Sequence, residues 1–206
     1  MSRFAMTLGL VVLFAASAIA QPVEYGFKAG PTFPSASFDP PLGDNDYDRR
    51  LAAAFGGFLV LPLNEQLAAQ IEALYLAKGG NVQSGDQEVK LRLDYFEVPV
   101  LARWTVNRSP SRAWYVFGGP TFGIRTKARL EESVTTTGFI YGAATDVGDD
   151  FSRFAMGLDL GAGVDIREWF VIDGRYSWGL TDVNDHPDIT SSLKTRAFTF
   201  MAGIRF

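Results

Sequence analysis

The chain has 206 residues, a formal net charge of −4, no cysteine and one histidine. Without cysteine there is no disulfide framework, thiolate zinc site, cysteine nucleophile or lipid-modified cysteine, and His186 alone excludes a multi-histidine metal site. The acidic balance gives no electrostatic footprint for nucleic acid, and 47% hydrophobic residues exclude a disordered chain.

Residues 1–20 have the pattern of a secretory signal peptide. Arg3 supplies the basic start, Phe4 to Ala16 the apolar run, and Ala18-Ile19-Ala20 the small-residue cleavage signal, with the cut before Gln21. The alternative, an N-terminal membrane anchor, lacks the length and a basic stop-transfer flank. Loss of this segment removes Arg3 and no acid, so the net charge goes from −4 to −5. The longest uncharged apolar run in the remainder, Leu51 to Leu63, holds two glycines and a proline. It is too short for a helical span, so a membrane form of this protein must cross with strands.

Period-two alternation fills the rest of the chain in eight segments. The first, 23–33, carries Lys28; the second, 51–61, is uncharged. The third, 67–77, contributes Glu72, and the fourth, 90–105, Glu97 and Arg103. The fifth is 113–124. The sixth, 153–166, puts Phe154, Met156, Leu158, Leu160, Ala162, Val164 and Ile166 on one face. Its other face carries Ala155, Gly157, Asp159, Gly161, Gly163 and Asp165, a partition that a helix would scatter. The seventh, 170–180, brings Asp173 and Arg175. The eighth, 194–206, aligns Phe198, Phe200, Ala202, Ile204 and Phe206 opposite a face with Arg205. Each segment is near or above the 9–11 residues of a tilted membrane strand.

The connections alternate in length. Pro62 to Gln66, Val106 to Arg112 and Arg167 to Trp169 are short; Pro34 to Arg50, Lys78 to Val89, Arg125 to Ser152 and Thr181 to Leu193 are long and polar. This sorts the long loops to one side, as in membrane barrels with short periplasmic turns and longer outer loops. The fold expected is all-β: an eight-stranded antiparallel up-and-down transmembrane barrel over 21–206, both termini on the periplasmic side.

The face opposite the large apolar residues is rich in Gly and Ala, which suits the narrow interior of eight strands better than a water-facing surface. Its charges, Lys28, Glu72, Glu97, Arg103, Asp159, Asp165, Asp173, Arg175 and Arg205, mix signs as a lumen ion-pair network does. An ion path or ligand site is the functional alternative to structural packing there. Trp104, Trp114, Trp169, Phe170 and Phe206 gather at the short-turn end, and Phe33, Tyr75, Tyr176 and Trp178 toward the long-loop end, as two interfacial belts.

Motifs in order along the chain resemble the PorT-like outer membrane protein beta-barrel domain family of small bacterial barrels. They are Tyr25 to Gly30 (YGFKAG), Ala53 to Phe58 (AAFGGF), Glu72 to Gly79 (EALYLAKG), Leu93 to Pro99 (LDYFEVP) and Tyr115 to Pro120 (YVFGGP). Gly161 to Gly163, Arg175 to Leu180 (RYSWGL) and Gly203 to Phe206 (GIRF) follow. Loop 125–152, acidic and Thr-rich, matches no family pattern. The resemblance implies a bacterial outer-membrane location and insertion by the barrel assembly machinery, with Phe206 as the C-terminal insertion signal. The family also includes a protein linked to secretion.

Chemistry beyond this is thin. His186 sits in Asp185-His186-Pro187-Asp188 near Ser191 and Ser192, with nothing rigid to set a nucleophile–base geometry. Asp44 to Asp48 (DNDYD) lacks the glycine of a calcium loop, since Arg49 stands in its place. It reads as a solvated acidic loop tip, as do Asp146, Asp149 and Asp150, with weak divalent bridging to lipopolysaccharide as the alternative. Eight strands are too few for bulk porin flow. The expectation is a monomeric, non-enzymatic barrel with no cofactor, no metal and a filled lumen. Its partners are outer-membrane lipid and lipopolysaccharide. The alternatives are a component of an outer-membrane secretion or transport system acting through a partner protein, and a soluble lipocalin-like barrel binding an apolar ligand.

Overall fold

The computed structural model describes residues 22–39, 51–84, 87–136, 139–146, 153–181 and 192–206. The signal segment 1–20, the Asp44–Asp48 tip, Asp149, Asp150, His186 and Ser191 lie outside the described residues. Among the described residues nine strands follow in chain order: β1 (Glu24–Asp39), β2 (Ala52–Pro62), β3 (Leu67–Ser84), β4 (Gln87–Ser109), β5 (Arg112–Thr136), β6 (Phe139–Asp146), β7 (Phe154–Ile166), β8 (Phe170–Gly179) and β9 (Ser192–Arg205). All pairings are antiparallel. β1 pairs with β9 and β4 with β5, so eight strands close into a ring in the order β1-β2-β3-β4-β5-β7-β8-β9. β6 stands outside that ring and pairs only with β5 among the described residues.

The alternation decides which face meets which medium. Phe27 (68% exposed), Phe55, Leu59, Phe96, Val100, Val116, Phe122, Leu160, Phe198, Phe200 and Ile204 point outward. Residues between them, charges included, are buried inside. A soluble barrel shows the opposite partition, so the apolar-ligand barrel is overturned: the large apolar face does not line the interior. On β4 the outward apolar stretch runs from Phe96 to Trp104, matching the roughly 9–11 residues of a membrane crossing. The short turns join strands at the Trp104, Trp114, Trp169 end, where the backbones of Tyr25 and Phe206 are mutually hydrogen-bonded (3.2 and 2.7 Å).

Two segments read as loops are instead strand. β3 runs to Ser84 and β4 begins at Gln87, so most of Lys78 to Val89 is a hairpin; β5 runs to Thr136 and turns into β6, inside Arg125 to Ser152. At 23 and 25 residues, β4 and β5 are about twice a membrane crossing. The physical reason is an inversion of polarity. In sequence, Val89, Leu91 and Leu93 fall on the parity of Tyr95 and Glu97, while Glu88, Lys90 and Arg92 fall on the parity of Phe96. A bulge at Asp94/Tyr95 re-phases β5, so in register Ala128, Leu130, Glu132 and Val134 pair with Leu93, Leu91, Val89 and Gln87, and Lys127, Arg129 and Glu131 with Asp94, Arg92 and Lys90. Outside lipid the outer face must be polar, so the lipid-strand pattern ends at the membrane although the strand does not. Smaller corrections have the same sense: β1 extends to Asp39, β9 starts at Ser192, and the Val106 to Arg112 connection shrinks to Pro110 and Ser111.

Candidate functional site

The interior is the most elaborate feature of the barrel. Arg175 on β8 is fully buried and reaches Glu72 on β3 at 2.8 Å, Asp159 on β7 at 3.4 Å and Asp173 on its own strand at 3.4 Å. β3 and β8 are four strands apart in a ring of eight, so the Arg175–Glu72 pair spans the full diameter. Lys28 on β1 bridges Glu72 and Asp173, each at 2.8 Å. Below this hub, Arg103 pairs with Asp165 and hydrogen-bonds Gln70 (3.3 Å), whose amide donates to Glu72 (2.5 Å). Arg205 joins Asp165 (2.9 Å) to Glu24 (2.8 Å) at the short-turn mouth. Above it, Lys78 meets Glu97 at 2.5 Å.

Aromatic rings fill the space the charges leave. The Arg103 guanidinium lies 3.6 Å over the Tyr115 ring, and that of Arg175 5.0 Å over Phe117. Tyr115 and Phe117 are register partners of Gly163 and Gly161, and a Cβ on either glycine would stand 2.4 Å from the ring. The glycines of β7 are therefore the floor on which two lumen rings rest.

Two spaces flank the hub. A vestibule of about 870 Å³ opens at the short-turn end, with Arg103, Asp165 and Arg205 at its base and Arg108, Arg112 and Arg167 exposed around it. A polar void of about 10 Å³, lined by Lys78, Glu97, Thr121, Asp159, Ser177 and Thr195, lies toward the other end. Along β8, Asp173 and Arg175 fall between the two, and along β3 so does Glu72. The ionic hub thus sits across the lumen between vestibule and void.

The structure brings all nine charges singled out in the sequence to the interior side, eight of them buried and Arg205 at the mouth. It divides them into three groups: Lys28, Glu72, Asp159, Asp173 and Arg175 in the hub; Arg103, Asp165 and Arg205 below; Glu97 above. Sequence reasoning missed Gln70, Lys78 and Glu24, and the lumen rings Phe58, Tyr95, Tyr115 and Phe117. Parity could have found the rings, since Tyr115 and Phe117 alternate in phase with Thr121 and Gly123, not with the lipid-facing Val116 and Phe122. Phe206 is exposed at the short-turn end, its ring 5.8 Å from that of Tyr25.

Residues 19–185 match the family described as outer membrane protein beta-barrel domain. No curated protein matches the chain. Among solved structures, Ail, the attachment invasion locus protein of Yersinia pestis, is 17% identical with a TM-score of 0.47, over 90% of this chain and 100% of that one. Neisserial surface protein A is 10% identical, TM-score 0.46, over 90% and 100%. OprG from Pseudomonas aeruginosa is 10% identical, TM-score 0.44, over 89% and 94%.

Proposed function

This chain belongs to the outer membrane protein beta-barrel domain family, and on that premise we propose that it is a monomeric, non-enzymatic scaffold that presents its long strands and loops outside the cell. The observation that carries this reading is the ionic hub across the lumen, with Arg175 wholly buried between vestibule and void. A barrel so filled works at its surfaces. The signal segment 1–20 is cleaved on export in this reading, and lipid and lipopolysaccharide are the immediate partners. The order of the strand motifs supports the PorT-like subgroup. Phe206 serves as the signal to the assembly machinery, so Phe206→Ala lowers the amount of barrel recovered in outer membranes without changing its unfolding midpoint.

The test of the scaffold reading is conductance of purified protein in planar bilayers, beside heat-modifiable migration of the outer-membrane fraction. The expected result is a heat-dependent mobility shift with no sustained open channel. Steady ohmic conductance would overturn the filled-lumen role. A second reading, a component of a secretion or transport system, draws on the open vestibule and its exposed Arg108, Arg112 and Arg167. It predicts that deletion depletes exported proteins, whereas the scaffold reading predicts envelope or adhesion defects alone.

A further inference from the structure

The short turns are hydrogen-bonded to one another. The Arg167 N–H donates to the Ser111 carbonyl (2.8 Å), which ties the β7–β8 turn to the β4–β5 turn. On its other side the same turn is held by Arg205, whose Nε donates to the Glu168 carbonyl (3.1 Å). Two exposed arginines meet at the first of these junctions. Arg112 opens β5 in register with Ile166, and Arg167 follows Ile166 directly. Arg112 has the parity of the lipid-facing Trp114 and Val116, and the exposed Trp169 lies two residues past Arg167. Neither guanidinium has an ion pair among the described residues. Asp165 is taken by Arg103 and Arg205, Glu24 by Arg205, and the exposed Glu168 pairs with neither Arg112 nor Arg167. Arg167 also has a positive φ, 52°, in the left-handed region. Glycine or asparagine holds that conformation at less cost, so the backbone does not account for an arginine there. Its N–H is committed to Ser111; what the turn presents is the guanidinium.

We propose that Arg112 and Arg167 form a binding site for the phosphate of an anionic phospholipid in the periplasmic leaflet. The inference rests on the outer-membrane reading above and deepens it, assigning one lipid class to one place on the barrel. Two neighbouring guanidiniums with no carboxylate between them repel each other. A phosphate diester set between them turns that repulsion into attraction and accepts hydrogen bonds from both planar forks. The indole rings fix the level. Trp114 and Trp169 are about half exposed, and such rings settle at the boundary between hydrocarbon and headgroups. The arginines beside them therefore stand in the headgroup layer. The acyl chains then lie along the apolar outer face of β5 and β7, where Val116 and Leu160 are exposed. A net-negative headgroup is preferred over a zwitterionic one, whose own ammonium competes for the phosphate. The hydrogen bonds between turns hold the site in place before the lipid arrives, so little order has to be gained on binding. Arg108 supplies the contrast. It pairs with Ala113, on the parity of the buried Tyr115, and so falls on the vestibule side, away from lipid.

The experiment uses the full chain folded into vesicles of phosphatidylcholine, alone or mixed with phosphatidylglycerol, with heat-modifiable migration reporting insertion. Barrel released from the mixed vesicles into mild detergent is read by native mass spectrometry for the lipid it retains. The expected result is a several-fold preference for phosphatidylglycerol over phosphatidylcholine, lost in Arg112→Gln and in Arg167→Gly and kept in Arg108→Gln. Arg167→Gly also separates binding from folding, because glycine suits the positive φ. Its urea midpoint in phosphatidylcholine holds or rises, while the further rise that phosphatidylglycerol gives the parent disappears. Equal retention of the two lipids by the inserted parent overturns the inference. So does a preference that survives in Arg112→Gln and Arg167→Gly, or one lost equally in Arg108→Gln, which would make net charge the cause. If dissolved glycerol phosphate raises the midpoint in phosphatidylcholine as much as phosphatidylglycerol does, the ligand is a soluble phosphate ester and the lipid assignment falls. Failure of the parent to insert counts against the outer-membrane reading itself, and against this inference with it.

Discussion

Arg175 stands where three carboxylates converge in a space without bulk water, so its charge and theirs hold one another. Arg175→Leu leaves Glu72 and Asp173 facing Lys28 and takes from Asp159 its arginine contact, and the expected loss is about 3–5 kcal/mol in the urea-unfolding free energy of the vesicle-embedded barrel. Adding Glu72→Leu to that variant recovers part of the loss, because the carboxylate most closely tied to Arg175 goes with it. Full additivity of the two changes would show that the pair is not coupled. Asp159→Leu tests the same network at a carboxylate 3.4 Å from Arg175, against 2.8 Å for Glu72, and costs less than Arg175→Leu. On the other face, Phe200 is 49% exposed near the middle of β9. Phe200→Arg puts a charge into hydrocarbon, with an expected cost of roughly 2–4 kcal/mol in the same assay.

At the scale of elements, β7 and the β5–β6 hairpin behave differently because one belongs to the ring and the other does not. Gly161 and Gly163 on β7 give room to the rings of Phe117 and Tyr115. Gly161→Val drives a branched side chain into the Phe117 ring, so the folded, fast-migrating species should fall in abundance far more than for Ala162→Val, on the exposed face of the same strand. The outer hairpin contributes no pairing to ring closure. Replacing residues 127–151 with a short Gly-Ser turn should therefore leave the heat-dependent mobility shift in place. Loss of that shift would mean that the extension is needed to close the barrel.

For the whole molecule, closure and filling act together. Eight strands enclose a bore just wide enough for side chains, and the pairs from β1, β3, β7 and β8 meet in it, so strands distant in sequence are tied across the axis. The exterior band is apolar between two sets of aromatic side chains: Trp104, Trp114 and Trp169 at one end, Phe55, Tyr75, Tyr176 and Trp178 at the other. Tyr75 donates a hydrogen bond of 2.7 Å to Asp94, the position at which β4 changes polarity. That contact fixes the outer boundary of the band and the start of the extension.

Period two by itself determined the strand class, the eight ring members and nine of the charged residues on the interior parity, though not Lys78 or Glu24, because alternation is a local property of the pleat. It also separated lipid-facing Phe198 and Phe200 from Thr199 and Met201 between them. Which charges touch which was not legible in it. Arg175 and Glu72 are 103 residues apart and meet only because closure sets β3 opposite β8. Nor could the pattern follow β4 and β5 past the membrane, since a strand that leaves lipid for water exchanges its polar and apolar faces while its backbone ladder continues unchanged. The tertiary structure decided both matters, because ring closure and the pairing of β6 depend on partners far along the chain.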